Sequence, residues 1–210
     1  MAGDAMNETR TRHPRPIRAF ALMLWAGLSL TACSGPSPAA RAPLEGAKIG
    51  GPFTLIDQNG RTVTDRDFAG KYRIMYFGYT FCPDVCPTDA QNIGAGLRLL
   101  EASDPALAAK IVPIFVSVDP ERDTPAVLKA FVGAFHPRMV GLTGSPEAID
   151  AVAKEFAIYH HKEDAAPGGG YMVDHSRAAY LMDPQGKPLA LLPEEKSGQA
   201  VADEARRWVK

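Results

Sequence analysis

Residues 73–87 constrain the fold most. Arg73–Tyr79 (RIMYFGY) is an almost unbroken apolar run, and a strand that lacks polar alternation has both of its faces covered. The chain then reads Cys82-Pro83-Asp84-Val85-Cys86-Pro87. Pro87 is a good first-turn residue, and Ile93, Leu97 and Leu100 follow at helical spacing. The two cysteines therefore sit where a central strand hands over to a helix. A helix N-terminus offers unpaired N–H groups and the positive end of the dipole, which together favour thiolate over thiol.

The rest of the chain alternates in kind. Residues 52–65 (PFTLIDQNGRTVTD) read as an N-terminal β-hairpin with Asn59-Gly60 at the turn. Ile111–Val118 is a second buried strand, followed by a helix over PAVLKAFVGAF capped by Asp123 or Thr124. A short strand at Met139–Leu142 precedes a helix over Pro146–Phe156, with Ser145 as its cap. Arg177–Met182 and Pro188–Leu192 form a hairpin around Asp183-Pro184-Gln185-Gly186, and an amphipathic helix runs to Trp208. Strands alternating with helices give an α/β layer with helices on both faces. The economical topology is a thioredoxin-like central mixed sheet.

Ahead of this domain lies a targeting segment. Arg10, Arg12, Arg15 and Arg18 precede Ala19–Ala32, an uncharged apolar stretch of 14 residues. A membrane span needs roughly 20 residues, whereas a signal-peptide core needs fewer. The stretch ends in Leu30-Thr31-Ala32-Cys33, which resembles a bacterial lipobox, so residues 1–32 are expected to be removed and Cys33 to carry lipid. Residues 33–47, rich in Pro, Ala, Ser and Gly, read as a tether, and residues 48–210 as the folded domain. The expected location is a bacterial cell envelope, membrane-anchored by lipid with the domain facing the periplasm. With Lys and Arg spread along the chain, a net charge of -1 and a pI near 6.5, nucleic acid is not an expected partner.

Lipidation of Cys33 leaves Cys82 and Cys86 as the only free thiols of a domain in an oxidising compartment. Three readings compete. A disulfide oxidoreductase expects Cys-x-x-Cys, one residue tighter. A structural disulfide across so small a loop adds little stability. A metal clamp suits soft thiolates and Cu(I), commonly with an imidazole as third ligand. Among the five histidines, His13 lies in the signal region, His136 fits the end of a helix, and His160 and His161 flank a strand. His175 differs. It follows Tyr171-Met172-Val173-Asp174, lies after the glycine-rich Pro167–Gly170, and has Asp174 or a neighbouring carbonyl to orient its ring.

Three segments in this order, Phe81–Pro87, Val116–Pro125 (VSVDPERDTP) and Val173–Ser176 (VDHS), resemble the signature of the Sco/SenC family. The resemblance covers residues 48–208. It implies a thioredoxin-like domain that binds copper, Cu(I) or Cu(II), through Cys82, Cys86 and His175. It also implies a role in assembling the binuclear copper centre of cytochrome c oxidase, with that enzyme's copper-binding subunit or another copper chaperone as partner. Asp119 and Asp174 are expected to support the ligands from outside, and Glu121, Arg122 and Asp123 to be structural. The rival function is that of a thiol-disulfide reductase that keeps the partner's copper-site cysteines reduced; it uses the same Cys82 and Cys86 and does not need His175. Peroxide reduction is weaker, because no Thr-x-x-Cys loop surrounds Cys82.

Overall fold

The computed structural model describes residues 41–165 and 170–210. The signal segment, Cys33 and most of the tether lie outside the described residues, as does all of the glycine-rich stretch except Gly170.

Seven strands form the central sheet: β1 (Thr54–Asp57), β2 (Thr62–Thr64), β3 (Tyr72–Gly78), β4 (Ile111–Ser117), β5 (Val140–Thr143), β8 (Ala179–Met182) and β9 (Pro188–Leu192). Their order is β2-β1-β5-β4-β3-β8-β9. The three central strands β5, β4 and β3 run parallel, and antiparallel pairs extend the sheet on either side. The sheet is mixed, as expected of the thioredoxin-like arrangement. The N-terminal hairpin is present, with Gly60 at φ +78° supplying the left-handed turn residue.

All seven residues of β3 are buried. Neighbouring residues of a strand point to opposite faces, and Tyr76 and Phe77 show what covers each one. Tyr76 meets Asp89 of α1 (Val85–Ser103). Phe77 packs on Phe156, 5.2 Å between ring centroids, just beyond α4 (Pro146–Glu155). The first face also holds α3 (Pro125–Phe135), whose Phe131 meets Phe115 of β4, and α5 (Gly198–Trp208), which packs along α1. A four-residue helix, α2 (Pro105–Ala108), joins α1 to β4. Thr124 and Ser145 cap α3 and α4 through their side chains.

Two boundaries differ from the sequence reading. Contacts with the domain begin before residue 48, because Leu44 N–H donates to the Leu189 carbonyl at 2.9 Å and Leu44 packs against the core. The helix after the cysteines begins at Val85 rather than Pro87, so Cys86 lies inside its first turn. A feature that apolar periodicity did not reveal is a separate two-stranded sheet, β6 (His160–Lys162) with β7 (Val173–His175). Its six residues are mostly polar, which is why no hydrophobic pattern marks them.

Glu194, between β9 and α5, is 4% exposed, and burial pushes its carboxyl up to about 7, with Asp89 and Glu195 adding to the effect and Arg177 opposing it. Between about pH 4.5 and 7 the folded chain keeps a proton that the unfolded chain has released. This contribution is fully present below that window and is lost as pH rises through it. Glu194→Gln is therefore expected to flatten the fall in stability across the window and to raise stability at pH 8 by on the order of 3 kcal/mol. Urea unfolding of both proteins at pH 4.5 and pH 8 checks this.

Candidate metal centre

Cys82, Cys86 and His175 converge. Their ligand atoms all lie within 4.8 Å of one another, and among the described residues no other group of three or more His, Cys, Asp or Glu side chains is spaced to hold a metal. Cys86 Sγ is 3.3 Å from His175 Nε2. Cys82 is half-buried and Cys86 is fully buried, and both are free thiols, so the pair is not a disulfide in this structure.

Each donor reaches the site by a local device. Cys82 lies in the turn after β3, where its N–H donates to the Tyr79 carbonyl at 3.3 Å. Cys86 projects from the first turn of α1 back toward β3, over Gly78. A Cβ at position 78 would fall 2.9 Å from Cys86 Sγ, so the glycine makes room for the buried sulfur. His175 precedes β8, as the sequence suggests, and itself ends β7, paired with His160 in register.

The hydrogen bonds assign the imidazole tautomer. Nδ1 lies 3.0 Å from the Ser176 carbonyl oxygen, which can only accept, so Nδ1 carries the proton and the lone pair of Nε2 faces Cys86. Burial holds His175 below the ordinary histidine range, partly offset by the Ser176 carbonyl and by the charges of Asp174 and Asp89. The ring is thus neutral, and its unprotonated Nε2 faces the Cys86 sulfur. Its orienting group is the backbone carbonyl. Asp174 is exposed on the opposite side of β7 and contributes only through its charge.

For Cys86 the dipole argument fails. Burial pushes its thiol well above the free-cysteine range and outweighs the Tyr79 and Tyr76 hydrogen bonds that favour thiolate. A helix N-terminus favours a thiolate when the sulfur is solvated, and this one has no exposure.

The other described histidines lie away from the cysteines. His136 is the C-cap of α3, with Nε2 3.3 Å from Glu101. His160 Nε2 is 3.1 Å from Asp150, and His161 is exposed. Asp119 binds no ligand residue; its carboxylate pairs with Arg122 and accepts from the Tyr171 hydroxyl at 2.8 Å. Asp123 accepts from the Thr80 backbone N–H at 3.0 Å, the Thr80 hydroxyl at 2.6 Å and the Ser117 hydroxyl at 2.6 Å, fixing the start of the cysteine turn. The space made by Gly78, the donation of Tyr76 and Arg177 to Asp89, and the seating of the Arg122 guanidinium over the Tyr171 ring have no local sequence signal. Each depends on elements that meet only in three dimensions.

Residues 41–210 match the family described as SCO1/SenC. The Arabidopsis thaliana protein named SCO1 homolog 1, mitochondrial, is 43% identical over 139 residues, 66% of this chain and 40% of that relative. The match thus spans well under half of that relative's length. The structure of Bradyrhizobium japonicum ScoI with copper bound superposes with a TM-score of 0.69 at 41% identity, covering 76% of this chain and 99% of that one. BsSco, described as a member of the Sco family of cytochrome c oxidase assembly proteins and as carrying a disulfide switch, gives a TM-score of 0.57 at 27% identity over 74% of this chain and 90% of its own.

Proposed function

Because the chain belongs to the SCO1/SenC family, we propose that it is a copper metallochaperone whose cargo binds Cys82, Cys86 and His175 and passes to the binuclear copper centre of cytochrome c oxidase during its assembly. The observation that carries this reading is the convergence of two thiols and one neutral imidazole within 4.8 Å. A three-coordinate ion with bonds of roughly 2.0 to 2.3 Å holds its donors about 3.5 to 4 Å apart, so small side-chain adjustments suffice. Two soft sulfurs and one imidazole suit copper and discriminate against hard divalent ions.

Uptake releases the proton that burial keeps on Cys86, since a bound sulfur is a thiolate. Release proceeds by ligand exchange. Cys82 is the more exposed sulfur and yields first to a donor group of the partner, while Cys86 and His175 hold the ion until the exchange is complete.

Reduced full-length protein loaded with copper and desalted should retain about one copper per chain and surrender it to the metal-free copper-binding domain of the oxidase. Failure of the wild type to retain copper would overturn the reading. The thiol-disulfide reductase alternative draws support from the asymmetry of the thiols, one half-exposed to attack and one buried to resolve. Such exchange needs no imidazole, so reductase activity that survives loss of His175, without copper retention by the wild type, would favour it.

Anchoring belongs to the same proposal. Cys33→Ala is expected to move the protein from the membrane fraction to the soluble fraction and leave copper binding unchanged, because Ala19–Ala32 is short for a span and several acyl chains hold a protein firmly at a bilayer. Fractionation and intact-mass measurement test this. A mutant that stays uncleaved in the membrane would mean that the apolar segment is itself the anchor.

A further inference from the structure

His175 is carried by β7, which among the described residues pairs only with β6 and has no ladder of its own to the central sheet. The nearest ladder to the central sheet begins four residues later, where Ala179 of β8 pairs with Tyr76 of β3, and the Tyr79 ring meets His175 edge-on at 5.8 Å, so side-chain ties complete the placement of the strand itself. Two ties stand on either side of it in sequence, and each is made by an arginine.

The first is Arg122. Its guanidinium carbon lies 3.7 Å from the centroid of the Tyr171 ring and 4.9 Å from that of Phe81, and Nη1 donates to the Tyr171 carbonyl at 2.9 Å. Asp119 pairs with the same guanidinium and accepts from Tyr171 Oη, which fixes both. Phe81 immediately precedes Cys82, and Tyr171 lies four residues before His175. One planar cation thus joins the Cys82 turn to the approach of the histidine strand.

The second is Arg177, two residues after His175. Its Nε and Nη2 donate to the two oxygens of Asp89 at 2.7 and 2.5 Å. Asp89 is fully buried on α1, one turn beyond Cys86, and also accepts from Tyr76 Oη at 2.9 Å. The fork ties the Cys86 helix to the exit of the histidine strand.

We propose that Arg122 and Arg177 are positioning residues forming a two-point clamp, one tie to each cysteine's segment, that keeps His175 Nε2 within bonding range of both sulfurs. The inference rests on the copper reading above. Its chemistry is specific to arginine: lysine keeps the charge but has neither the planar face that stacks between Tyr171 and Phe81 nor the fork that matches Asp89.

Arg122→Lys and Arg177→Lys in the full-length protein in detergent test the clamp. Each is expected to weaken Cu(II) binding by on the order of 10- to 100-fold, as loss of groups that orient metal ligands does. Cu(I), which the two sulfurs hold without the imidazole, should change much less. The sulfur-to-Cu(II) charge-transfer band should shift as His175 leaves the coordination sphere. In the metal-free protein, Arg122→Lys should also speed alkylation of Cys82 by iodoacetamide, because Phe81 is no longer pinned. Lowered melting temperatures with unchanged Cu(II) affinity and absorption would mean that the arginines are structural only, and the clamp would fall. Should the wild type itself retain no copper, the chaperone reading fails separately, and the alkylation rate still decides the Arg122 tie: an unchanged rate overturns it.

Discussion

His175→Ala is expected to weaken Cu(II) binding at least as much as loss of an outer-shell group does, by about 10- to 100-fold or more, while Cu(I) affinity falls far less. The difference follows from ligand softness: Cys82 and Cys86 satisfy the monovalent ion, whereas Cu(II) draws more of its stability from imidazole nitrogen. The ring is prepared for this role. Its Nδ1 proton is committed to the Ser176 carbonyl, and burial keeps it neutral at physiological pH, so no deprotonation of the imidazole precedes binding. Titrations of wild type and mutant with each oxidation state measure the effect. His136→Ala and His160→Ala serve as controls, since those rings face Glu101 and Asp150. Equal Cu(II) affinity in His175→Ala and wild type would make the imidazole a structural residue.

The largest expected loss of stability comes from Asp123→Ala. The carboxylate is 0% exposed and accepts from Thr80 N–H, Thr80 Oγ1 and Ser117 Oγ. Burial raises its pKa despite those three donors, and the nearby charge of Asp119 adds to the rise. Truncation leaves a buried backbone N–H and two hydroxyls without their acceptor, each costing about 1 to 3 kcal/mol if unmet. A loss of on the order of 3 kcal/mol is expected in urea unfolding. Asp123→Asn should cost less, because its amide oxygen still accepts and the hydroxyls can turn to accept from its NH₂. A loss below about 1 kcal/mol for the alanine variant would show that rearranged partners or water replace the carboxylate.

How legible this molecule was in its sequence depended on distance along the chain. The β3 run, the Asn59-Gly60 hairpin, and the caps Thr124 and Ser145 are local signals, and they lie where apolar patterning and side-chain chemistry place them. Cys82, Cys86 and His175 came together through motif resemblance, since nothing local says that residue 175 returns to residue 86. The β6–β7 pair carries no apolar pattern that would mark it in the sequence. The expectation of a dipole-activated Cys86 failed because its burial over Gly78 is a tertiary fact. Asp174 neighbours His175 in sequence, but alternation along β7 turns it to the other side and leaves the Ser176 carbonyl to orient the ring.

X-ray absorption at the copper edge of the loaded, reduced full-length protein tests the ligand set most directly. The expected spectrum fits two sulfur neighbours and one imidazole nitrogen around a single copper, with the sulfur shell halved in Cys82→Ser or Cys86→Ser and the imidazole scattering lost in His175→Ala. A spectrum with only nitrogen and oxygen neighbours, or one unchanged by these three substitutions, would place the copper elsewhere and contradict the assignment.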